Sequence, residues 1–329
     1  MAAQGNEEGE RYNPMGRQGF GMKAIVIDKF GGAEQLKEQE VPKPTCGINQ
    51  VIIQIHATSV NPVDFKVRQG HMEEAADSFP LILGGDAAGI VAEVGSNVTQ
   101  FREGDRVFAR PRSFGTYAEY AAVDADIISR IPDNLGFEEA AAIPLAGMTA
   151  WQALVDHAHL AKGQKVLIHA GAGGVGTYAI QIAKYIGAEV AATASESNEE
   201  LLRSLSVDHF INYKKEDFSE ILSGYDVVLD TMGGDIQRDS FKVLKPGGHL
   251  VSLVEQPDQS LAKEAGVTAN VFMMEPKGDQ LDQLAKLASE GKLKPVIDET
   301  YDLSEQGLRE AHKKSETHHT RGKLVIRAQ

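Results

Sequence analysis

The chain has 329 residues, with 47 acidic and 33 basic side chains and a formal net charge of −14. That length fits about two domains at roughly 100–200 residues each, and the negative field argues against nucleic-acid or anionic-membrane partners. A single cysteine, Cys46, excludes an internal disulfide and any multi-cysteine metal site; with no apolar run near the ~18 residues of a spanning helix, the expected compartment is the cytoplasm.

Residues 1–21 are polar and acidic, without the apolar stretch of a signal peptide, and read as a flexible leader. Residues 22–143 read as a β-rich unit, with predicted strands at 23–27, 50–59, 87–94, 106–109 and 118–123 between Gly-, Pro- and Asp-rich segments. Val51, Ile53 and Ile55 alternate with period two, as on a strand with one buried face, although Ile52 on the opposite face blurs the pattern.

At Pro144 the texture changes. Helices at 149–158, 176–186 and 199–205 alternate with strands at 165–169, 189–194, 227–229 and 249–254. Such alternation implies right-handed βαβ units and a parallel sheet over 144–271. It ends near Phe272, and a helix at 280–289 and a last strand at 322–327 occupy the return segment 272–329.

Between the strand at 165–169 and the helix at 176–186 lie Gly171, Gly173 and Gly176, a GxGxxG pattern in the context that a dinucleotide-binding loop requires. Gly171 permits the turn, Gly173 lets backbone approach a pyrophosphate, and Gly176 lets helix and strand pack closely. Amides at the helix start, where Gly174 and Val175 stand, then hold phosphate oxygens. The next strand ends Ala192-Thr193-Ala194-Ser195, with no carboxylate at its tip to claim a ribose 2′-hydroxyl. The space suits a 2′-phosphate and favours NADP, with Ser195 as first contact and Tyr213 and Lys214 from the following strand end. Glu196, Glu199 and Glu200 oppose that phosphate unless they point away.

Further motifs run in order: Val60-Asn61-Pro62-Val63-Asp64 with Arg68 and Gly70, Gly85-Asp86-Ala87-Ala88-Gly89, Gly104-Asp105-Arg106-Val107, Gly115-Thr116-Tyr117-Ala118-Glu119-Tyr120, Pro144-Leu145-Ala146-Gly147-Met148-Thr149-Ala150, Ile211-Asn212-Tyr213, Gly247-Gly248 and Arg321-Gly322-Lys323. Together they resemble the medium-chain dehydrogenase/reductase superfamily, in its zinc-independent quinone oxidoreductase and enone reductase branch, from Met22 to Arg327. The resemblance implies an α/β protein in which a GroES-like β-rich substrate domain, 22–143 plus 272–329, joins a Rossmann doubly wound parallel-sheet cofactor domain, 144–271, across an active-site cleft. It also implies a homodimer joined sheet edge to sheet edge through the strand at 249–254.

Zinc-dependent members of that superfamily place a cysteine and a histidine where this chain has Asn61 and Gly85, so no catalytic metal is expected. His312, His318 and His319 read as polar surface or cleft wall, and His157 and His159 as a solvated helix end. The implied reaction is hydride transfer from NADPH to a quinone or to the β-carbon of an α,β-unsaturated carbonyl, with hydrogen-bond donors supporting charge on the carbonyl oxygen. Asn61 is the first candidate donor, to the substrate carbonyl or to a cofactor group, and Lys66 the second. Asp64 closes a turn. Thr149 faces the nicotinamide by resemblance, backbone near Leu253 and Phe272 contacts its carboxamide, and Tyr117 and Met148 line the pocket or are structural. Two other readings stay open: an NADPH-binding regulatory or structural protein with little turnover, and an enoyl thioester reductase. Ser206 stands where relatives often carry a turn glycine.

Overall fold

The computed structural model describes residues 21–76 and 78–328; all but the last residue of the expected leader lies outside them. The first part of the chain forms β1 (Gly21–Ile27), β2 (Lys37–Pro42), β3 (Gln50–Val60), α1 (Pro62–Arg68), β4 (Leu81–Ile82), β5 (Ala87–Val94), β6 (Arg106–Ala109), β7 (Tyr120–Asp124) and β8 (Ile128–Arg130). Helices α2 (Phe137–Ala141) and α3 (Pro144–Trp151) lead into β9 (Lys165–Ile168), α4 (Gly174–Ile186), β10 (Glu189–Ala194), α5 (Glu199–Ser204), β11 (His209–Asn212), α6 (Phe218–Ile221), β12 (Tyr225–Asp230), α7 (Gly234–Ser240), β13 (Leu244–Ser252), α8 (Gln259–Ala265) and β14 (Thr268–Val271). The chain closes with α9 (Gly278–Ser289), β15 (Ile297–Asp302), α10 (Glu305–Glu316) and β16 (Lys323–Arg327).

Strands β9 to β14 make a six-stranded parallel sheet in the order β11-β10-β9-β12-β13-β14. The strand sequence reverses between β9 and β12, the doubly wound arrangement whose ligand crevice opens beyond the strands' carboxyl ends. Helices cover both faces, so Val166-Leu167-Ile168 and Val227-Val228-Leu229 are apolar throughout and buried.

The β-rich unit holds a three-stranded sheet, β2-β1-β4, and a seven-stranded sheet following β15-β16-β3-β5-β6-β8, with β7 also on β3. Ile52 is as buried as Val51, Ile53 and Ile55, which explains the blurred alternation: β3 is covered on both faces. Strand β16 returns to run antiparallel to β3, with Leu324 opposite Val60. That register sets Lys323 beside Asn61, the residue that caps α1 ahead of Pro62.

Two sequence expectations need correction. The helix expected at 149–158 starts earlier, at Pro144, and gives way after Trp151 to a π-helical turn, Gln152–His157. There Gln152 Nε2 donates to the Glu275 carbonyl at 2.7 Å and to Gln280 Oε1 at 2.8 Å, tying the helix to the return segment. The strand expected at 249–254 is not a sheet edge: β13 pairs with β12 on one side and β14 on the other, so the edge on that side of the sheet belongs to β14 and the opposite edge to β11.

Candidate active site

The glycine loop leaves β9 and enters α4 in a conformation that side chains would obstruct. A Cβ on Gly176 would lie 2.2 Å from the Ala170 carbonyl oxygen, and one on Gly171 would lie 2.9 Å from Ala192 Cβ. Gly173 is extended and caps α4, so the Gly174, Val175 and Gly176 amides occupy its first turn, where no intrahelical acceptor exists. Free amides at the positive end of a 13-residue helix, reached over a glycine cradle, fit a dinucleotide pyrophosphate.

The other wall comes from the β-rich unit and the return segment. A Cβ on Gly174 would lie 3.1 Å from Lys323 Cδ, so the lysine stem runs along the start of α4. Its ammonium is buried, donating to the Val60 carbonyl at 3.1 Å and to Asn61 Oδ1, with Asp86 at 3.8 Å. Asp86 accepts from Asn61 Nδ2, Ser59 Oγ and the Leu145 amide, each at 2.7 Å. Asn61, 2% exposed, is thus clamped between Asp86 and Lys323 and keeps one amide hydrogen. Burial holds the Lys323 ammonium below its usual range, against the opposing charges of Asp86 and Asp64.

Asp64 Oδ2 accepts from the Asn61 amide at 2.8 Å and from Tyr117 Oη at 2.9 Å, while its Oδ1 is buried without a partner. Burial drives its pKa up to about 6 against those two donors. Behind Tyr117 the chain of bonds continues to His312 Nε2 at 3.0 Å, and His312 Nδ1 meets Arg68 Nη1 at 3.2 Å. A guanidinium only donates, so Nδ1 accepts, Nε2 carries the hydrogen, and Tyr117 passes its own to Asp64. Burial and Arg68 push His312 down to about 3, which keeps it neutral. Arg68 is itself fully buried and ion-paired to Glu316.

His312 is therefore core, not surface or cleft wall, because α10 turns it inward. Tyr117 and Met148 are fully buried too, so neither lines an open pocket. His157 is half-buried, stacked on Phe272 with ring centroids 4.2 Å apart, rather than a solvated helix end.

The remaining sequence candidates fall at three places. Thr149 sits on α3 with its hydroxyl donating to the Leu145 carbonyl at 2.7 Å. Lys66, on α1, is half-buried and its side chain makes no hydrogen bond or ion pair among the described residues. Leu253 and Phe272 follow the paired ends of β13 and β14, where Ser252 is opposite Val271. Ser195, Tyr213 and Lys214 come together because Ala194 and Asn212 are register partners, and the Tyr213 amide donates to the Ala194 carbonyl at 3.3 Å. Glu196 pairs with Lys215 at 2.9 Å and Glu199 with Arg203 at 2.6 Å, so two of the three opposing carboxylates are locally neutralised.

Sequence reasoning gave no role to Arg110. Its guanidinium lies against Gly85, with Cζ and Nε both 3.3 Å from the point a Cβ there would occupy. Burial holds it below its usual range, opposed by Asp86 and Asp64. An amide and a glycine covered by a guanidinium do not make a zinc site, and among the described residues no group of three His, Cys, Asp or Glu side chains could hold a metal.

A doubly wound sheet with a glycine loop, facing a GroES-like β unit completed by the C-terminal strand, defines the class. Residues 47–133 match the alcohol dehydrogenase GroES-like domain family and residues 205–326 the zinc-binding dehydrogenase family. The chain is 37% identical over 316 residues to the NADPH-dependent alkenal/one oxidoreductase, chloroplastic, of Arabidopsis thaliana, covering 93% of this chain and 79% of that one. It superposes on the quinone oxidoreductase of Coxiella burnetii with a TM-score of 0.88 at 38% identity, over 94% of this chain and 100% of the other. For the Escherichia coli quinone oxidoreductase complexed with NADPH the TM-score is 0.85 at 27% identity, over 93% and 100%. This chain belongs to the medium-chain dehydrogenase/reductase superfamily, among its quinone and alkenal/one oxidoreductases.

Proposed function

We infer that the protein is an NADPH-dependent, zinc-independent oxidoreductase that reduces quinones or α,β-unsaturated carbonyls. The observation that carries this reading is the approach of Lys323 to both halves of the site: its stem lies on Gly174 of the nucleotide loop and its head on Asn61. In this reading residues 144–271 hold the cofactor, and residues 22–143 with 272–329 hold the acceptor.

When bound, the reduced nicotinamide supplies a hydride. The amides of Gly174, Val175 and Gly176 hold the pyrophosphate, and Ser195, Tyr213 and Lys214 surround the 2′-phosphate. Leu253 and Phe272 flank the carboxamide, and Thr149 faces the nicotinamide. Asn61 positions Lys323 and offers its remaining amide hydrogen to a carbonyl or ribose oxygen. Lys66, uncommitted on α1, is a second cation at the acceptor side.

The same reading gives a homodimer formed along β14, the edge strand next to β13, since an unpaired edge is a template for self-association. The acidic, single-cysteine composition supports a cytoplasmic setting, and among the described residues no helix is long and apolar enough to cross a membrane.

NADPH oxidation with a panel of enones and quinones, beside NADPH binding by fluorescence, tests the reading. Turnover on at least one acceptor class is expected. NADPH binding without oxidation by any acceptor would favour the regulatory alternative and overturn the enzymatic one.

A further inference from the structure

We propose that Arg110 is a catalytic residue of this site, its guanidinium binding the acceptor's carbonyl oxygen and carrying the negative charge that develops there. The proposal rests on the oxidoreductase reading above and names the group that polarises its acceptor.

Three buried or half-buried cations, Arg68, Lys323 and Arg110, lie around this part of the β-rich unit, and two are fully engaged. Arg68 is bonded to Glu316, His312 and the Gly31 carbonyl. Lys323 is bonded to Asn61 and the Val60 carbonyl, beside Asp86. Arg110 makes no ion pair among the described residues. Its Nη1 donates to the carbonyl of its own neighbour Pro111, while Nε is a buried donor with no partner and Nη2 bonds to nothing described. Nε–H and Nη2–H form the side-on edge of the guanidinium, two parallel donors suited to an oxygen bearing charge.

Position supports the role as strongly as the open donors. Arg110 follows the end of β6 and is held over Gly85, the residue before Asp86, with Phe114 5.6 Å from Cζ. Leu145 Cδ1 reaches the same spot, 3.5 Å from the Gly85 Cβ point. Thr149 lies one helical turn beyond Leu145 on the same face of α3 and donates to its carbonyl. The Arg110 guanidinium therefore sits at the seam between the β-rich unit and α3. The absence of a side chain on Gly85 gives the guanidinium room to lie there.

In the step, the hydride forms a C–H bond at the β-carbon, the C=C pair moves to the bond between the α-carbon and the carbonyl carbon, and the carbonyl pair moves onto oxygen. Arg110 holds that oxygen as an enolate. A proton from water then adds at the α-carbon and the carbonyl re-forms, so NADPH is oxidised and the enone reduced by two electrons. A guanidinium stays protonated throughout, so it acts as a fixed electrophile rather than an acid.

The test uses the full chain and a simple enone such as 3-penten-2-one. Replacing one oxyanion donor costs about 100-fold in favourable cases, and Arg110→Met is expected to lower kcat by that order while the NADPH dissociation constant, read by fluorescence, stays within twofold. In Arg110→Ala, added guanidinium ion at non-denaturing concentration should restore part of the lost rate, which a structural role would not give. Gly85→Ala, which leaves the arginine in place but crowds it by a few tenths of an ångström, keeps the test open if the arginine variants do not fold; it should also lower kcat without weakening NADPH. A probe independent of turnover is 4-nitrophenol, whose absorbance reports ionisation: the NADP⁺-loaded wild type should bind it as the phenolate, and Arg110→Met should not. Wild-type kcat in Arg110→Met, or in Gly85→Ala where the former is unfolded, overturns the proposal. A wild-type protein inert to every enone and quinone would overturn the oxidoreductase reading instead.

Discussion

Tyr117→Phe isolates one hydroxyl in the buried chain from Arg68 to Asp64. The ring is fully buried and Phe preserves its packing, so the change removes a bond to Asp64 Oδ2 at 2.9 Å and a bond from His312 Nε2 at 3.0 Å. A hydrogen bond to a charged group contributes about 1.5–3 kcal/mol and a stranded buried donor costs about 1–3; we expect a loss of about 3 kcal/mol near pH 8, read as a lower urea midpoint at unchanged m-value. The effect should depend on pH with a defined sign. Asp64 titrates at about 6 in the folded protein against 3.8 in a free chain, so between those values the native state binds the extra proton and stability falls as pH rises. The Tyr117 hydroxyl opposes that rise by favouring the carboxylate. Without it Asp64 takes up its proton at higher pH, so the Tyr117→Phe penalty should shrink towards about pH 5, where the carboxyl is neutral in both proteins. A penalty below about 0.5 kcal/mol, or one independent of pH, would refute the chain as drawn.

Gly176→Ala should weaken NADPH at least tenfold by fluorescence titration, since its Cβ would sit 2.2 Å from the backbone oxygen of Ala170, which cannot move aside as a side chain could; unchanged affinity would refute the cradle. Ser195→Asp should shift preference towards NADH at least tenfold, measured as the ratio of the two dissociation constants, by placing a carboxylate where the 2′-phosphate lies. Ser206 adopts a left-handed φ of 67°, so Ser206→Gly should stabilise by roughly 0.5–1 kcal/mol in urea unfolding, the relieved strain exceeding the entropy that glycine adds to the unfolded chain. A strong chelator should change neither turnover nor melting temperature; loss of activity restored by zinc would refute the donor-set argument.

What the sequence showed and what it hid divide by range. The glycine loop was legible because strand, turn and helix are adjacent, and its steric requirements are local. Lys323 was visible only as part of an Arg-Gly-Lys motif, because its bond to Asn61 spans 262 positions and depends on β16 returning to β3. The Arg68–His312 contact, 244 positions apart, was hidden the same way. Helix α10 did leave a signal. Ser304 caps it by accepting from the Gly307 amide at 3.0 Å, and Leu308, Ala311, His312 and Ser315 recur at helical spacing on the buried face. The charged residues between them masked it. The sheet edge was misplaced because β14 is four residues long and carries Thr268 and Asn270, too short and polar to register as a strand. Lys245-Pro246-Gly247-Gly248, a turn by composition, lies inside β13 at an irregular register.

The contacts hidden in this way are those that join the two units. Asp86 is fully buried and takes donors from three elements: Ser59 of β3, Asn61 at the head of α1, and the Leu145 amide of α3. A buried carboxylate persists only while such donors surround it, so any opening that withdrew α3 from the β-rich unit would cost Asp86 its Leu145 bond. Lys323 adds the matching constraint from the return segment, because its stem rests on Gly174 and its ammonium pairs with Asp86 at 3.8 Å. The seam is therefore held by charge that is costly to expose, while Arg110 beside it keeps Nε and Nη2 without a hydrogen-bond partner among the described residues. Rigidity of this kind suits a reaction whose rate depends on donor and acceptor being held at contact, since misplacement by about 1 Å can cost 100-fold.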